Sequence, residues 1–246
     1  MVSAKEIRER AWEKLGDGNW LKAVGAFGIY WLMGTVAAQL MFRVGVATGG
    51  IEVMSIDEFF RRFGESLGQM GIAMPQNLPS DVMACTFPVT KPYFQAIQFL
   101  ATTFLDGVFA AGWAVFTVSV MRIGANALQV FSGFSRFSAM GWLMLVRTAR
   151  IVLWSLLLVV PGFVACYSYR MSFFLKADHP EWSAARVLAE SKRMMSGHKW
   201  RLACLDASFV GWWLLVLVTF GMAILVAGPY MGVTYAAFYE DLLDRE

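Results

Sequence analysis

The chain has 246 residues, of which 58% are hydrophobic, 15% aromatic and only 16% charged, and its formal net charge is +3. Ordinary soluble domains carry about 25% charged residues and about 45 to 50% apolar ones. With a mean hydropathy of +0.54, this composition excludes a disordered chain and a nucleic-acid binder, and it favours one membrane-embedded unit over a soluble enzyme.

A short charged segment precedes the first apolar run. Residues 1–19 are predicted to form a cytoplasmic amphipathic helix, which opens with the capping-box sequence Ser3-Ala4-Lys5-Glu6. Residues 20–42 are long enough to cross a hydrocarbon core of about 30 Å, and they form the first predicted span. Because acidic residues and no small-residue cleavage site precede this run, we expect a retained helix rather than a signal peptide.

Residues 43–92 carry a mixture of acidic and basic residues, and they are predicted to form an external loop with a second amphipathic helix. The apolar stripe of that helix comprises Phe59, Phe60, Phe63, Leu67 and Met70. Residues 93–121 contain one charged residue, Asp106, and form the second predicted span. Residues 122–141 follow as a basic cytoplasmic segment.

Two prolines, Pro161 and Pro229, divide the remaining apolar sequence. Pro229 interrupts a charge-free run that is too long for a single crossing. At Pro161 the positive-inside rule favours a hairpin over a single crossing, because a turn there keeps the strongly basic segments on one side of the membrane. We therefore predict two helical hairpins on either side of a basic cytoplasmic helix at 177–201. Their halves are 142–160 with 161–176, and 202–227 with 228–243.

The predicted fold class is an all-α, polytopic membrane protein that forms a single integral membrane domain. It has about six transmembrane or re-entrant helices, arranged as three helical hairpins, together with interfacial amphipathic helices. Both termini are predicted to be cytoplasmic. The second halves of the last two hairpins are short, so a re-entrant course is the alternative to full crossing for each.

A series of motifs in the second half of the chain prompts a family resemblance. They read FSGFSRF, LWSLLLVVPGFVACYSYRMSFFLKADHP, ESKRMMSGHKWRL, SFVGWWLLVLVTFG and GPYMGVTYAAFYEDL. In this order they resemble the bacterial integral membrane family known as domain of unknown function 975, and more distantly the membrane domain of glycerophosphodiester phosphodiesterases. The resemblance implies a polytopic protein of the bacterial plasma membrane, and it supplies neither an activity nor functional residues.

Asp106 is the strongest candidate for a functional residue, since a carboxylate near the middle of a span is costly and marks a pathway, a proton site or a buried pair. Its predicted partners are Arg150 and Arg170, with Gln39 as a further polar neighbour. One hypothesis is a gated polar site, and the favoured alternative is a salt bridge that sets helix register. Arg147 is expected nearer the cytoplasmic edge, where its guanidinium reaches water.

The basic cytoplasmic segment is the candidate contact for anionic lipid. The predicted contact residues are Arg186, Lys192, Arg193, His198, Lys199 and Arg201. The alternative, which we favour at this point, is that these charges only set the orientation of the chain.

No motif for catalysis, metal binding or cofactor binding is present, and the three cysteines have no metal-ligand spacing. The sequence therefore predicts a non-enzymatic scaffold or interaction protein of the bacterial inner membrane, without cofactors or nucleic-acid partners. Its predicted partners are membrane lipids, another membrane protein or a second copy of itself. The alternative function is a small transporter or channel subunit with Asp106 on its path, and an intramembrane enzyme ranks last.

Overall fold

The computed structural model describes residues 3–16, 18–55, 61, 65, 86–124 and 126–245. Within these residues the chain is helical, apart from one pair of strands. The helices are α1 (Ala4–Gly16), α2 (Trp20–Ala47), α3 (Pro92–Arg122), α4 (Phe137–Leu157), α5 (Val159–Ser168), α6 (Ser172–Asp178), α7 (Ala184–Met194), α8 (Lys199–Ala207), α9 (Val210–Val218) and α10 (Ile224–Leu243), with a 3-10 helix at Ala127–Arg136.

Four helical stretches in the described part of the chain are long and apolar enough to cross a membrane. They are Trp20–Ala47, Pro92–Arg122, Ala127–Leu156 and Lys199–Val218. This confirms the predicted fold class, a polytopic helical membrane protein. The count of about six spans stays a prediction, because it also requires α5 with α6, and α10, to enter the membrane.

In the structure, both hairpin turns come earlier in the chain than Pro161 and Pro229, where the turns were predicted. The first turn lies at Leu158, whose extended backbone separates α4 from α5, and Pro161 sits in the first turn of α5, where its missing donor is tolerated. The second turn precedes Ile224, and it contains Gly221 with φ +90°. Pro229 consequently lies inside α10 instead of starting it.

The predicted helices 161–176 and 177–201 are each interrupted by a turn. Arg170 lies in the turn that separates α5 from α6, and Gly197 has φ +81° in the turn between α7 and α8. With ten residues, α5 is about 15 Å long, or half the hydrocarbon thickness. A length of this kind is in keeping with the re-entrant alternative.

The chain divides into two compact units. One comprises Met1–Val36 and Thr102–Glu246, and the other comprises Ala37–Ala101. In the smaller unit, strands β1 (Ile51–Ser55) and β2 (Thr86–Thr90) pair antiparallel, with Ile51 opposite Thr90. These strands were not among the elements predicted from the sequence. The predicted apolar stripe from Phe59 to Met70 lies outside the described residues.

Helix α10 supplies much of the core of the larger unit, and α1 packs chiefly against it. The predicted capping box forms, since Ser3 N donates to Glu6 Oε2 at 2.7 Å and Glu6 N donates to Ser3 Oγ at 3.3 Å. The apolar face of α1, with Ile7, Ala11 and Leu15, is buried. This face was expected to rest in the membrane interface, but it covers the protein core instead, because α10 offers a matching apolar surface.

Helix α7 also buries its apolar face in the protein. Ser183 caps this helix by accepting a hydrogen bond from Arg186 N at 3.3 Å, and Val187 and Leu188 are completely buried. Helix α9, in contrast, has no buried residue. Exposed apolar side chains on a membrane protein of this composition form the surface that lipid covers.

Candidate functional site

Asp106 does not form the predicted salt bridge. Its side chain is exposed, and it makes neither a hydrogen bond nor an ion pair with any residue that the structure describes. The neighbouring residue, Gly107, packs against Met140 to Met144 of α4. Since successive helical residues point about 100° apart, Asp106 turns away from that contact, and its carboxylate instead interacts electrostatically with Tyr30 of α2.

A cavity of about 380 Å³ lies within the larger unit, between α2, α3, α4 and α10 and the segments around α6 and α9. Its lining residues are Phe27, Tyr30, Ala110, Trp113, Ala114, Arg147, Arg170, Phe173, Phe174, Trp213, Ile224, Gly228, Met231, Gly232 and Tyr235. The lining is mainly aromatic and apolar, and it includes two arginines and no carboxylate. Its size falls in the range of small-molecule sites, about 300 to 1,000 Å³.

Aromatic rings build one wall of the cavity. The Trp113 ring lies 5.4 Å from the Phe27 ring and 5.6 Å from the Tyr30 ring, measured between centroids. Two glycines of α10 allow this approach, because a Cβ at Gly228 would lie 2.2 Å from Phe27 Cζ and a Cβ at Gly232 would lie 2.6 Å from Trp113 Cζ2.

Arg170 is anchored on the rim of the cavity. Its guanidinium carbon lies 4.5 Å from the centroid of the Tyr235 ring, a cation-π contact. The Tyr235 hydroxyl in turn donates a hydrogen bond of 2.6 Å to Asp206 Oδ1. Tyr235 therefore contacts Arg170 through its ring and joins Asp206 of α8 through its hydroxyl group.

Arg147 has no acidic partner among the described residues. Its guanidinium carbon lies 5.5 Å from the Phe173 ring centroid, and its Nη1 lies 4.0 Å from Met144 Sδ. Its Nε atom is buried without a hydrogen-bond partner. The Nε atom is therefore enclosed by the protein, whereas Arg147 as a whole is half-buried. Its place near the cytoplasmic edge stays a prediction.

Of the four predicted site residues, the structure brings only Arg170 to the cavity. Asp106, Arg150 and Gln39 do not line it, and Gln39 lies in the smaller unit, on the C-terminal part of α2. Arg147, which was not among the predicted site residues, lines the cavity together with Arg170. The available signal was that Arg147 and Arg150 both interrupt an otherwise apolar run.

The predicted lipid-contact residues separate into two groups. Arg186 and Lys192 are exposed, and Arg186 stacks on the Trp182 ring at 4.3 Å. Arg193, also exposed, pairs with Glu190 of the same helix. Lys199 is half-buried at the start of α8.

Arg201 and His198 form the second group, whose side chains face the protein. Arg201 pairs with buried Asp241 of α10 at 2.7 Å, and Arg245 also reaches that carboxylate, at 3.1 Å. Burial, together with the charges of Arg201 and Arg245, lowers the pKa of His198 below its ordinary value. His198 is therefore neutral at pH 7 and adds no charge to a lipid contact, whereas Arg201 links α8 to α10.

The whole chain, residues 1–246, matches the model of the family described as Protein of unknown function (DUF975). The chain belongs to this family. The family match confirms the resemblance that the motifs of the second half predict. No curated protein and no solved structure matches the chain, so the predicted likeness to the membrane domain of glycerophosphodiester phosphodiesterases has no support.

This member of the family has a further polar cluster that the sequence analysis missed. Arg122, the last residue of α3, donates to both carboxylate oxygens of Asp178 at 2.7 and 2.9 Å and to Glu240 at 2.7 Å. The Tyr239 hydroxyl also donates to Asp178, at 2.8 Å. The cluster ties the ends of α3, α6 and α10 together, and no local spacing signals it.

The described residues contain no group of three or more His, Cys, Asp or Glu side chains that could hold a metal ion. Cys166 and Cys204 are free thiols. The cavity, by contrast, is lined by two arginines and no carboxylate, so its local charge is positive.

Proposed function

We propose that the protein is a non-enzymatic, multi-pass scaffold or interaction protein of the bacterial plasma membrane that contacts anionic phospholipid on its basic, cytoplasmic side. The observation that carries the proposal is that the apolar face of α7 is buried and its basic face is exposed. Val187 and Leu188 are buried in the protein, whereas Arg186 and Lys192 remain exposed. The charged face is thus the part of this helix that is available to a membrane surface.

An aromatic side chain beside this face supports the proposal. Trp200 is 78% exposed, and it is the second residue of the apolar stretch Lys199–Val218. Tryptophan at the end of a span is typical of the boundary between headgroups and hydrocarbon. A basic helix next to such a residue lies at headgroup depth, where each cation contributes about 1 kcal/mol of attraction to an anionic leaflet.

The orientation follows from the same charges. In the proposed topology both termini and α7 are cytoplasmic, because Lys and Arg near span ends are retained on that side. Lateral partners, another membrane protein or a second copy of the chain, would bind along exposed apolar helices such as α9.

A small transporter or channel subunit is the second candidate. Asp106 supports it, since this carboxylate has no ion-pair partner among the described residues and lies on the face of α3 that also presents Ala110 and Trp113 to the cavity. The lining does not reach Asp106, and for this reason the scaffold ranks first.

The test measures lipid preference of the full-length protein. Protein purified in a mild neutral detergent is exposed to equimolar phosphatidylglycerol and phosphatidylcholine, and retained lipids are quantified by mass spectrometry. We expect wild type to prefer phosphatidylglycerol and Lys192→Gln to lose about fivefold of that preference, the equivalent of about 1 kcal/mol.

Arg43→Gln is the matched control, since Arg43 is exposed on α2 in the smaller unit and is predicted to face the outside. Its lipid preference should equal that of wild type. Equal retention of both lipids by wild type, or an equal loss in both variants, would overturn the proposal.

A further inference from the structure

We propose that the cavity between Arg147 and Arg170 is a binding site for a phosphate group, carried by an anionic phospholipid or by a soluble phosphate. Both arginines line the same space of about 380 Å³, and no carboxylate lines it with them. The planar guanidinium fork matches phosphate oxygens in two parallel hydrogen bonds. An anion is thus the ligand class that this lining recognises.

The guanidinium group of Arg147 lacks a counter-charge among the described residues. Its polar contacts in the described structure are a methionine sulfur and an aromatic ring, which are weak substitutes for water. The charge of Arg170 also acts on it and repels it. A buried cation without a partner is strongly destabilising, and an anion between the two guanidinium groups would remove both the repulsion and the unsatisfied donor at Nε.

The remainder of the cavity suits the non-phosphate part of an amphiphilic ligand. Trp113, Phe174 and Trp213 contribute aromatic surface, and the cavity is larger than a phosphate group needs. Binding sites of this type combine an apolar lining with a few polar groups that orient the ligand. A phosphate ester with an apolar or glycerol portion would use both parts.

This inference deepens the proposed function, and its lipid arm rests on that function, because a phospholipid headgroup is one of the two sources of phosphate. It concerns different residues, since Lys192 lies on the exposed face of α7 and does not line the cavity. The two proposals can therefore fail separately.

The experiment uses full-length protein in neutral detergent with three probes: inorganic phosphate, phosphatidylglycerol and phosphatidylcholine, at constant ionic strength. Dissociation constants are measured by calorimetry, and thermal unfolding is followed with and without each probe. We expect inorganic phosphate or phosphatidylglycerol to bind and to raise the unfolding temperature. Phosphatidylcholine should bind at least about tenfold more weakly, because the two arginines repel the quaternary ammonium beside its phosphate. The probe that binds identifies the source of the phosphate.

Arg147→Met is the decisive variant. We expect it to weaken binding of the active probe by about tenfold or more, and without the probe to unfold at the same temperature as wild type or a higher one, since an unpaired buried charge is removed. Arg150→Met is the matched control, because this arginine lies on the same helix, is half-buried and does not line the cavity. Its affinity should equal that of wild type.

If Arg147→Met does not fold, Arg147→Gln and Arg170→Met carry the same expectation of an about tenfold loss. Unchanged affinity in the cavity variants, or no binding of either anionic probe, overturns the inference. Lipid binding that Lys192→Gln weakens and Arg147→Met does not would leave the proposed function standing without the cavity site. The converse pattern would support the cavity and count against the α7 surface.

Discussion

The imidazole of His198, in the turn before α8, is influenced by the charges of two arginines. Its Nδ1 is buried without a hydrogen-bond partner, and burial with the nearby charges of Arg201 and Arg245 lowers its pKa. In the unfolded chain the pKa returns to about 6.5. The unfolded state consequently binds more protons than the folded state as the pH falls below neutrality, and acidification must destabilise the protein through this residue.

His198→Asn should therefore reduce the pH dependence of stability. The contribution of neutral His198 is fully present above about pH 6.5 and is lost as the pH falls from there towards the lowered folded pKa. We expect the unfolding temperature of wild type to drop between about pH 7.5 and pH 5.5, and the drop to be smaller in the variant. Thermal unfolding of the purified protein at both pH values measures it.

His179→Asn is the control, because His179 is the other histidine of the chain and its side chain is 43% exposed. His198→Asn should reduce the temperature drop by more than this variant does. An identical temperature drop in wild type and in His198→Asn would contradict the prediction.

Secondary-structure elements pack closely where glycine, which has no side chain, lies at their contact. The 3-10 helix lies against α3 through Gly112 and Gly133, since a Cβ at Gly112 would lie 1.8 Å from the Val130 carbonyl oxygen and one at Gly133 would lie 2.1 Å from the Val108 oxygen. Backbone at this distance has no freedom to move aside. Glycines of this kind permit close helix contact in membranes.

Gly112→Ala should destabilise the protein by roughly 1 to 3 kcal/mol, the usual cost of an overpacked contact. Gly25→Ala is the matched control, because Gly25 is also helical and a Cβ there meets nothing within 4 Å. It should be neutral or stabilising, as alanine is the better helix former by about 1 kcal/mol. The two unfolding temperatures test this, and equal values would show that the 3-10 helix yields to the new methyl group.

Across the molecule, the placement of charge predicts which turns lie on which side of the membrane. Phe220, in the turn between α9 and α10, is 98% exposed, and Lys192 is exposed on α7. The proposed topology separates these residues by the apolar stretch Lys199–Val218. They are therefore suitable reporters of orientation.

In a background with all three cysteines replaced by serine, we expect Phe220→Cys to react with a membrane-impermeant maleimide in intact cells. Lys192→Cys should react only after permeabilisation, because positively charged segments stay inside. Labelling yields with and without permeabilisation measure the difference. The reverse pattern, or labelling of both residues in intact cells, would contradict the predicted orientation.

The helical membrane fold could be predicted because its signals are local. Long apolar stretches such as 20–42 and 93–121 need no partner to be recognised, since the bilayer acts as a uniform apolar solvent. The serine and glutamate of the N-terminal capping box lie three residues apart, so this feature could also be predicted from the sequence. The β1–β2 pairing was not, because it joins residues that are about 35 positions apart in the chain.

The amino-acid sequence alone predicts a membrane environment, a helical fold and the family. Composition and the order of the motifs carry this information without any knowledge of contacts. The partners of the charges had to come from the folded structure. Asp106 lacks the predicted arginine, Arg201 finds Asp241, and Arg147 closes a cavity with Arg170. Pairing depends on which helix faces meet, and helix periodicity specifies a face without specifying its neighbour.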